Sequence, residues 1–337
     1  MKSASRSVFV RVFDKDHRGF TVTELLVGTA IVGILMALIL PAVQASREAV
    51  RRAQCSARLR DLCLASQNFS STHGHFPGAY PPTSRASPSG YRLLWSAHVS
   101  LLPYLELKNV QSLLDLEDDS LSLYHSPPTS VRNSTGLKQS VVAFQCPSDL
   151  GLPGSVNFRV SGGTSPGFHA SVGVNPPDAA LWGVVSRKGI NSRSVRDGLS
   201  NTAFFSERVV GGQNANVVLL GLGTFLTAKD AADACRAAPM FLSVDSNSGR
   251  SWLPGGYHAT WYNHIFTPNS RMLDCVNGPQ MRYTGNGAIS ARSTHFGGVN
   301  VGLCDGATRF VNQNISEKVW RAIGSIDGNE SFASSDW

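Results

Sequence analysis

Charge disappears from this chain over one long stretch. From Leu25 to Ser46 no residue is charged and most are apolar. These 22 residues, at about 1.5 Å of rise each, make a helix of roughly 33 Å, enough to cross a hydrocarbon core of about 30 Å. A segment alone in lipid must satisfy its own backbone hydrogen bonds, and helix does this. Glu24 stands at the entrance to the run, where an ionisable group is costly and marks function. As an acid in a first helical turn it is also favoured by the macrodipole. Pro41 cannot donate to the carbonyl of Ala37, at roughly 3 kcal/mol in a regular helix, so a bend or local defect is expected there.

From Ala42 to about Ser70 the pattern stays helical but becomes amphipathic. Cys55, Leu59, Leu62, Ser66 and Phe69 fall at steps of four, three, four and three, which is one helical face. Arg51, Arg52, Arg58 and Arg60 lie largely off that stripe. They read as a solvated face, or as contacts to anionic headgroups or neighbouring subunits. His73-Gly74-His75-Phe76-Pro77 ends the helix. Its two histidines read as loop residues, since no further pair has matching ligand spacing.

The remainder alternates with a period of two only in places. Val299 to Leu303, then Asp305-Gly306, then Thr308 to Val311 reads as a hairpin with a type I′ turn. Asp305 is thereby explained as a turn residue. His295 either supports that turn or forms a metal or catalytic pair with Asp305. Asp197-Gly198 reads as a turn before a strand at Thr202–Ser206, and Val141–Phe144 is strand-like. Ser316 should cap a helix from Glu317 to Ile323. Residues of about 110–140 and 210–290 are poorly periodic and carry Pro127-Pro128, Gly211-Gly212 and Gly255-Gly256. They are expected as loops and insertions around a sheet. Trp182, Trp252 and Trp261 fit either a core or a sugar-stacking surface.

Composition narrows the function. The chain has 337 residues and a formal net charge of +7. Before Phe20, Lys2, Arg6, Arg11, Lys15 and Arg18 stand against Asp14 and Asp16, a net of +3. The rest is then only mildly basic, which argues against nucleic acid as a partner. Arg47, Arg51, Arg52, Arg58 and Arg60 follow the span, so the count of flanking cations does not orient it. No P-loop, dinucleotide fingerprint, HExxH, nucleophile elbow or paired-carboxylate signature is present. No enzyme, cofactor or metal site is expected.

Gly19-Phe20 followed by Glu24 and the apolar run resembles the type IV prepilins and pseudopilins. The resemblance implies cleavage after Gly19 by prepilin peptidase, methylation of the new terminus at Phe20, and Glu24 as fifth residue facing the Phe20 amine during assembly. Pro41 also falls where pilins often carry a proline. The leader places the N-terminus in the cytoplasm. A conventional secretory signal fits poorly, because no small-residue cleavage site precedes a compositional break.

The segment Gln54 to Leu62, followed by Phe76-Pro77, resembles the DUF1559 family of prepilin-like proteins. So do Trp95-Ser96, Leu102-Pro103-Tyr104-Leu105-Glu106, Phe144-Gln145-Cys146-Pro147-Ser148-Asp149 and Asp197 to Thr202. The closest likeness is His295, nine residues, then Asp305-Gly306. Arg58, Cys63 and Leu199 depart from the pattern. Together these imply an α+β, pilin-like fold: a leader at 1–19, a long helix at 20–72 with its span at about 20–41, and a loop-rich head at 73–337 with an antiparallel sheet and an insertion at about 210–290.

The head should lie outside the cytoplasm, where disulfides persist. Six cysteines allow fifteen connectivities. Cys55 lies on the apolar stripe, Cys146 precedes Pro147, and both fall on family motif positions, so they form the first expected pair. Cys235 and Cys275 flank the insertion and form the second. Cys63 and Cys304, the latter placed in a strand, are expected as buried thiols. The function implied is a pseudopilin-like or minor-pilin-like subunit of a type II secretion or type IV pilus-like filament, anchored in the inner membrane with its head in the periplasm. Its partners would be prepilin peptidase, other pilin-like subunits or secretion machinery, and lipid. The alternative is a membrane-tethered solute- or carbohydrate-binding protein.

Overall fold

The computed structural model describes residues 20–78, 95–116, 133, 135–136, 138–149, 151–166, 189–211, 217–220, 225, 227–238, 244–245, 247–257, 259–277 and 286–330. Gly19, Pro127-Pro128, Trp182 and Gly212 lie outside them. The chain forms two compact units, Met1–Ala49 and Val50–Trp337.

Helix α1, Val22–His73, contributes to both. In the first unit its apolar residues are exposed, and a window of mean hydropathy 2.5 has none of its length buried. The helix continues through Pro41. In the second unit the same helix turns core-forming. Cys55, Leu59, Leu62, Ser66 and Phe69 are all buried, as their spacing predicts. Gly74, at φ 78°, ends the helix by donating its N–H to the Ser70 carbonyl at 2.8 Å. Two of the arginines are half-buried and make contacts in the head. Arg52 stacks over the Phe310 ring at 3.4 Å and Arg58 donates to the Gln145 carbonyl at 2.8 Å.

Short helices follow at α2 (Ala97–Leu101), α3 (Lys108–Gln111), α4 (Ala228–Ala237) and α5 (Glu317–Ala322). Ser316 caps α5 by accepting from the Val319 N–H, as expected. The strands are β1 (Phe158–Ser161), β2 (Ala203–Glu207), β3 (Val217–Leu220), β4 (Val244–Asp245), β5 (Trp261–Tyr262), β6 (Asp274–Asn277), β7 (Gly287–Ala288), β8 (Gly298–Leu303) and β9 (Thr308–Asn312). One sheet has the order β5-β1-β2-β8-β9, the other β4-β3-β6-β7.

Both sheets are mixed rather than purely antiparallel. β5 pairs parallel with β1, and β6 with β3. Each parallel partner is reached by a long excursion, which such pairing requires. The second sheet lies in residues whose sequence predicts loops and insertions around a sheet. Its central strand, Val217-Val218-Leu219-Leu220, is buried at every position, so it lacks the alternation that reveals a half-exposed strand. With α4 it packs a small core of Val218, Leu220, Phe225, Ala231, Ile265 and Ala288.

Both expected disulfides are present. Cys55–Cys146 has a Cα separation of 5.0 Å and Cys235–Cys275 one of 5.5 Å, inside the usual range of about 4.4–6.8 Å. The first spans 91 positions and joins α1 to the head, worth about 4–5 kcal/mol in chain entropy. Cys63 and Cys304 are buried free thiols. Cys304 begins the β8–β9 turn rather than lying in the strand. Val141–Phe144 is also not a strand: Val142–Phe144 is a 3-10 turn that drives Phe144 into the core and leaves Val142 exposed. Trp252 and Trp261 are both buried core residues, which removes them as a sugar-stacking surface.

The β8–β9 turn is not type I′. Within it only Gly306, at φ 94°, takes the left-handed region. Its N–H donates to the Leu303 carbonyl at 3.1 Å, and the Leu303 N–H donates to the Ala307 carbonyl at 2.8 Å. This is a type I turn closed by a glycine bulge. Gly306→Val is expected to destabilise the head by about 1–3 kcal/mol, with Gly306→Asn milder because Asn tolerates that region. Denaturant midpoints of the full chain in micelles check the order; equal midpoints for wild type and Gly306→Val would contradict it.

Candidate functional site

The N-terminal unit has a chemically distinct end. Phe20 is 80 % exposed. Thr21 caps α1, its Oγ1 accepting from the Glu24 N–H at 3.2 Å. In return Glu24 Oε2 accepts from the Thr21 N–H at 2.9 Å and from its hydroxyl at 2.8 Å. This reciprocal capping box, missed in the sequence although Thr-x-x-Glu is its signature, fixes where the helix starts. It also places Glu24 one turn from Phe20. Phe20, Thr23, Glu24, Val27, Gly28 and Ile31 line one shallow groove along that face. Apart from the backbone of its own helix and its chain neighbours, nothing stands within 4 Å of where a Cβ on Gly28 would project.

In the head, the expected site residues do not all meet. Asp305 is exposed, and its carboxylate accepts from the Ala307 N–H at 2.9 Å. His295 precedes β8 and Asp305 follows it, at opposite ends of a strand of roughly 20 Å. They form no pair, and His295 does not support the turn. Asp197 instead holds the C-terminal segment. Its carboxylate accepts from Ser325 Oγ at 2.7 Å, from the Gly328 N–H at 2.9 Å and from the Asn329 N–H at 2.9 Å. Gly198, at φ 93°, turns the chain toward β2.

His295 meets different partners. It is buried, with Nε2 at 3.5 Å from Cys146 Sγ and 3.3 Å from Glu207 Oε1. Glu207 ends β2, buried among the Phe204-Phe205 run. Its carboxylate accepts from the Asn300 N–H at 2.8 Å and from Asn300 Nδ2 at 2.9 Å. Asn157 completes the group, accepting from the Cys146 N–H at 2.9 Å and donating to Asp149 Oδ2 at 2.5 Å. Cys55, Cys146, Glu207 and His295 thus bring four potential ligand atoms within 4.8 Å of one another. Sequence reasoning missed Glu207. The available signal was an acid-base pair, Glu207-Arg208, continuing a strand of buried aromatics.

A second charged group lies alongside. Asp274 pairs with Arg208, and with Arg292 Nε at 3.0 Å, while accepting from the Ser290 N–H at 3.0 Å. Burial pushes its carboxyl up, but Arg208 and Arg292 outweigh this and hold it at about 2. Removing one partner of such a buried pair typically costs 3–5 kcal/mol. Val209, Asn269, Arg292, Thr294, His295 and Phe296 border a cleft of about 350 Å3. Phe296 is 96 % exposed at its edge.

An apolar helix headed by a capped Glu24 and preceded by Gly19-Phe20 is the anchor of a type IV pilin-like chain. Residues 14–40 match the prokaryotic N-terminal methylation motif, which marks a substrate of prepilin peptidase. Residues 44–318 match the family described as "Protein of unknown function (DUF1559)", and the chain belongs to that family. No curated protein and no solved structure matches it.

Two core histidines set the acid limit of the head. Burial drives His98 down to about 4, although Nε2 donates to the Phe158 carbonyl at 2.7 Å. Burial likewise drives His264 to about 3, with Nδ1 donating to the Trp320 carbonyl at 2.7 Å. Below pH 6.5 the unfolded chain takes up protons that these folded rings refuse. Stability should therefore fall between pH 6.5 and 4, by up to about 1.4 kcal/mol per pH unit for each ring. Below pH 4 the Asp274 contribution is lost as well. Chemical denaturation at successive pH values checks this: His98→Gln should flatten the slope, and a wild-type stability constant from pH 7 to 4 would contradict it.

Proposed function

We propose that the protein is a pseudopilin-like or minor-pilin-like structural subunit, stored in the inner membrane and assembled through α1 into a type II secretion or type IV pilus-like filament. The observation that carries this reading is the start of α1: from Val22 to Ser46 it is a capped, exposed, mainly apolar helix whose one ionisable residue, Glu24, lies one turn from the processing point. Cleavage after Gly19 would free the Phe20 amine. Glu24 would then neutralise that amine, its own or a neighbour's, and set register while apolar contact supplies the affinity. Repeated contacts of this head-to-tail kind build open helical assemblies.

On this reading the N-terminus is cytoplasmic and the head periplasmic, a compartment that suits the two disulfides. Prepilin peptidase, other pilin-like subunits or secretion machinery, and lipid are the partners of this reading; nucleic acid is not. It assigns the head no catalysis. Buried Trp252 and Trp261 speak against a sugar-stacking head, and among the described residues no tryptophan lines the cleft beside Phe296.

Processing is tested by mass spectrometry of the N-terminus in cells with a working prepilin peptidase. The expected terminus is methylated Phe20, and Gly19→Val should leave the precursor in the membrane. An intact wild-type chain starting at Met1 would sink the reading. Assembly is tested separately by crosslinking. Glu24→Leu should insert as well as wild type or better, yet give fewer crosslinked oligomers; wild-type oligomer levels would remove Glu24 from that role.

A further inference from the structure

The group around His295 has more donor atoms than a structural disulfide needs. Cys55, Cys146, Glu207 and His295 are all buried and converge from four elements: α1, the turn after Phe144, the end of β2 and the loop before β8. A tetrahedral zinc site uses bonds of about 2.3 Å to sulfur and about 2.0–2.2 Å to nitrogen and oxygen, so its edges are about 3.6 Å for sulfur–nitrogen and about 3.3 Å for nitrogen–oxygen. The observed edges are 3.5 Å from Cys146 Sγ to His295 Nε2 and 3.3 Å from His295 Nε2 to Glu207 Oε1. Two of the edges such a site needs already stand at its spacing. The sulfurs, joined in the disulfide, are what has to part.

We propose that these four residues are a metal site masked by the Cys55–Cys146 bond: on reduction they hold one borderline-soft divalent cation of the zinc type. The donor set, two thiolates, one imidazole and one carboxylate, selects such an ion over magnesium or calcium, which take oxygen ligands. Disulfide and metal exclude each other, and either one ties α1 to the head at the same point. The exchange balances with a dithiol as reductant. Its thiolate attacks one sulfur, its second thiol resolves the mixed disulfide, and two electrons pass to Cys55 and Cys146. Metal binding then releases the two thiol protons.

Charge and access fit the proposal. Two thiolates, Glu207 and a divalent ion leave one negative charge. Alongside, Arg159, Arg208 and Arg292 stand against Asp149 and Asp274, one net positive charge. A small void of about 10 Å3, lined by Cys146, Asn157, Glu207 and Arg292, lies at the sulfur. It shares Val209, Arg292, Ser293 and Thr294 with the open cleft, so the two adjoin.

The test uses the full chain in detergent micelles, reduced with dithiothreitol and exchanged anaerobically into buffer without it. Titration with cobalt(II) should give one equivalent bound, with a sulfur-to-metal charge-transfer band and tetrahedral visible bands that zinc(II) displaces. The oxidised chain should show neither. His295→Ala and Glu207→Gln should each weaken binding by at least about tenfold. Asp305→Asn, and Cys235→Ser combined with Cys275→Ser, should leave it unchanged. In the reduced wild type, zinc should protect Cys55 and Cys146 from alkylation, located by peptide mass spectrometry. Absence of the sulfur band, its persistence in Cys55→Ser, undiminished binding in His295→Ala, or unprotected Cys55 and Cys146 would each overturn the site.

Discussion

The head depends on burying one stripe of α1. Cys55, Leu59, Leu62 and Phe69 lie inside the main core, with Ser66 buried on the same face, and Cys55 is bonded there to Cys146. The helix is therefore a core element of the head and not a stalk that ends at it. β8 packs close to the same helix: a Cβ on Gly302 would run into Cys63 Sγ and Leu59. That closeness accounts for Cys63 as a small, buried thiol. Burial pushes both its thiol and that of Cys304 well above their ordinary range, so neither is a ready nucleophile.

Polar order is built onto this packing by side chains that bond backbone. Asp197 fixes the C-terminal segment, Asn157 fixes the Cys146 turn, and Glu207 fixes β8 through Asn300. Each uses side-chain acceptors on backbone N–H groups. Such groups would cost about 1–3 kcal/mol each if left bare. The positions that looked chemical in the sequence thus have structural work first. His295 differs, since its Nε2 stands beside a sulfur and a carboxylate oxygen.

How legible this was depended on periodicity. The two halves of α1 announced themselves by an uncharged run and by a 3.6-residue stripe, and Cys55 paired as its place on that stripe suggested. The β8–β9 hairpin was legible from alternation around Asp305-Gly306, but its turn type was not, because type I′ and bulged type I turns both accept that dipeptide. The second sheet was illegible. Its strands are only two to four residues long and its core strand is apolar throughout. The meeting of Glu207 with His295 was equally hidden. It depends on β2 lying beside β8, a long-range pairing that no local pattern encodes.

The two ends of α1 differ in where their stabilisation comes from. Between Phe20 and Val43 the apolar side chains are exposed and find nothing in their own chain. At about 1.5–3 kcal/mol for each large one buried, the unrealised gain is on the order of 20 kcal/mol. That is more than the whole stability of a typical domain, about 5–15 kcal/mol. Such a segment is not a tolerable surface in water. Lipid satisfies it without specificity, since acyl chains offer no register. A neighbouring helix adds register only if something polar distinguishes one offset from the next. Along the apolar span the sole charged candidate is Glu24, already held by Thr21 at the end where cleavage would create an amine. The capping box and the assembly role are therefore compatible: the cap positions the carboxylate, and both of its bonds from Thr21 go to Oε2.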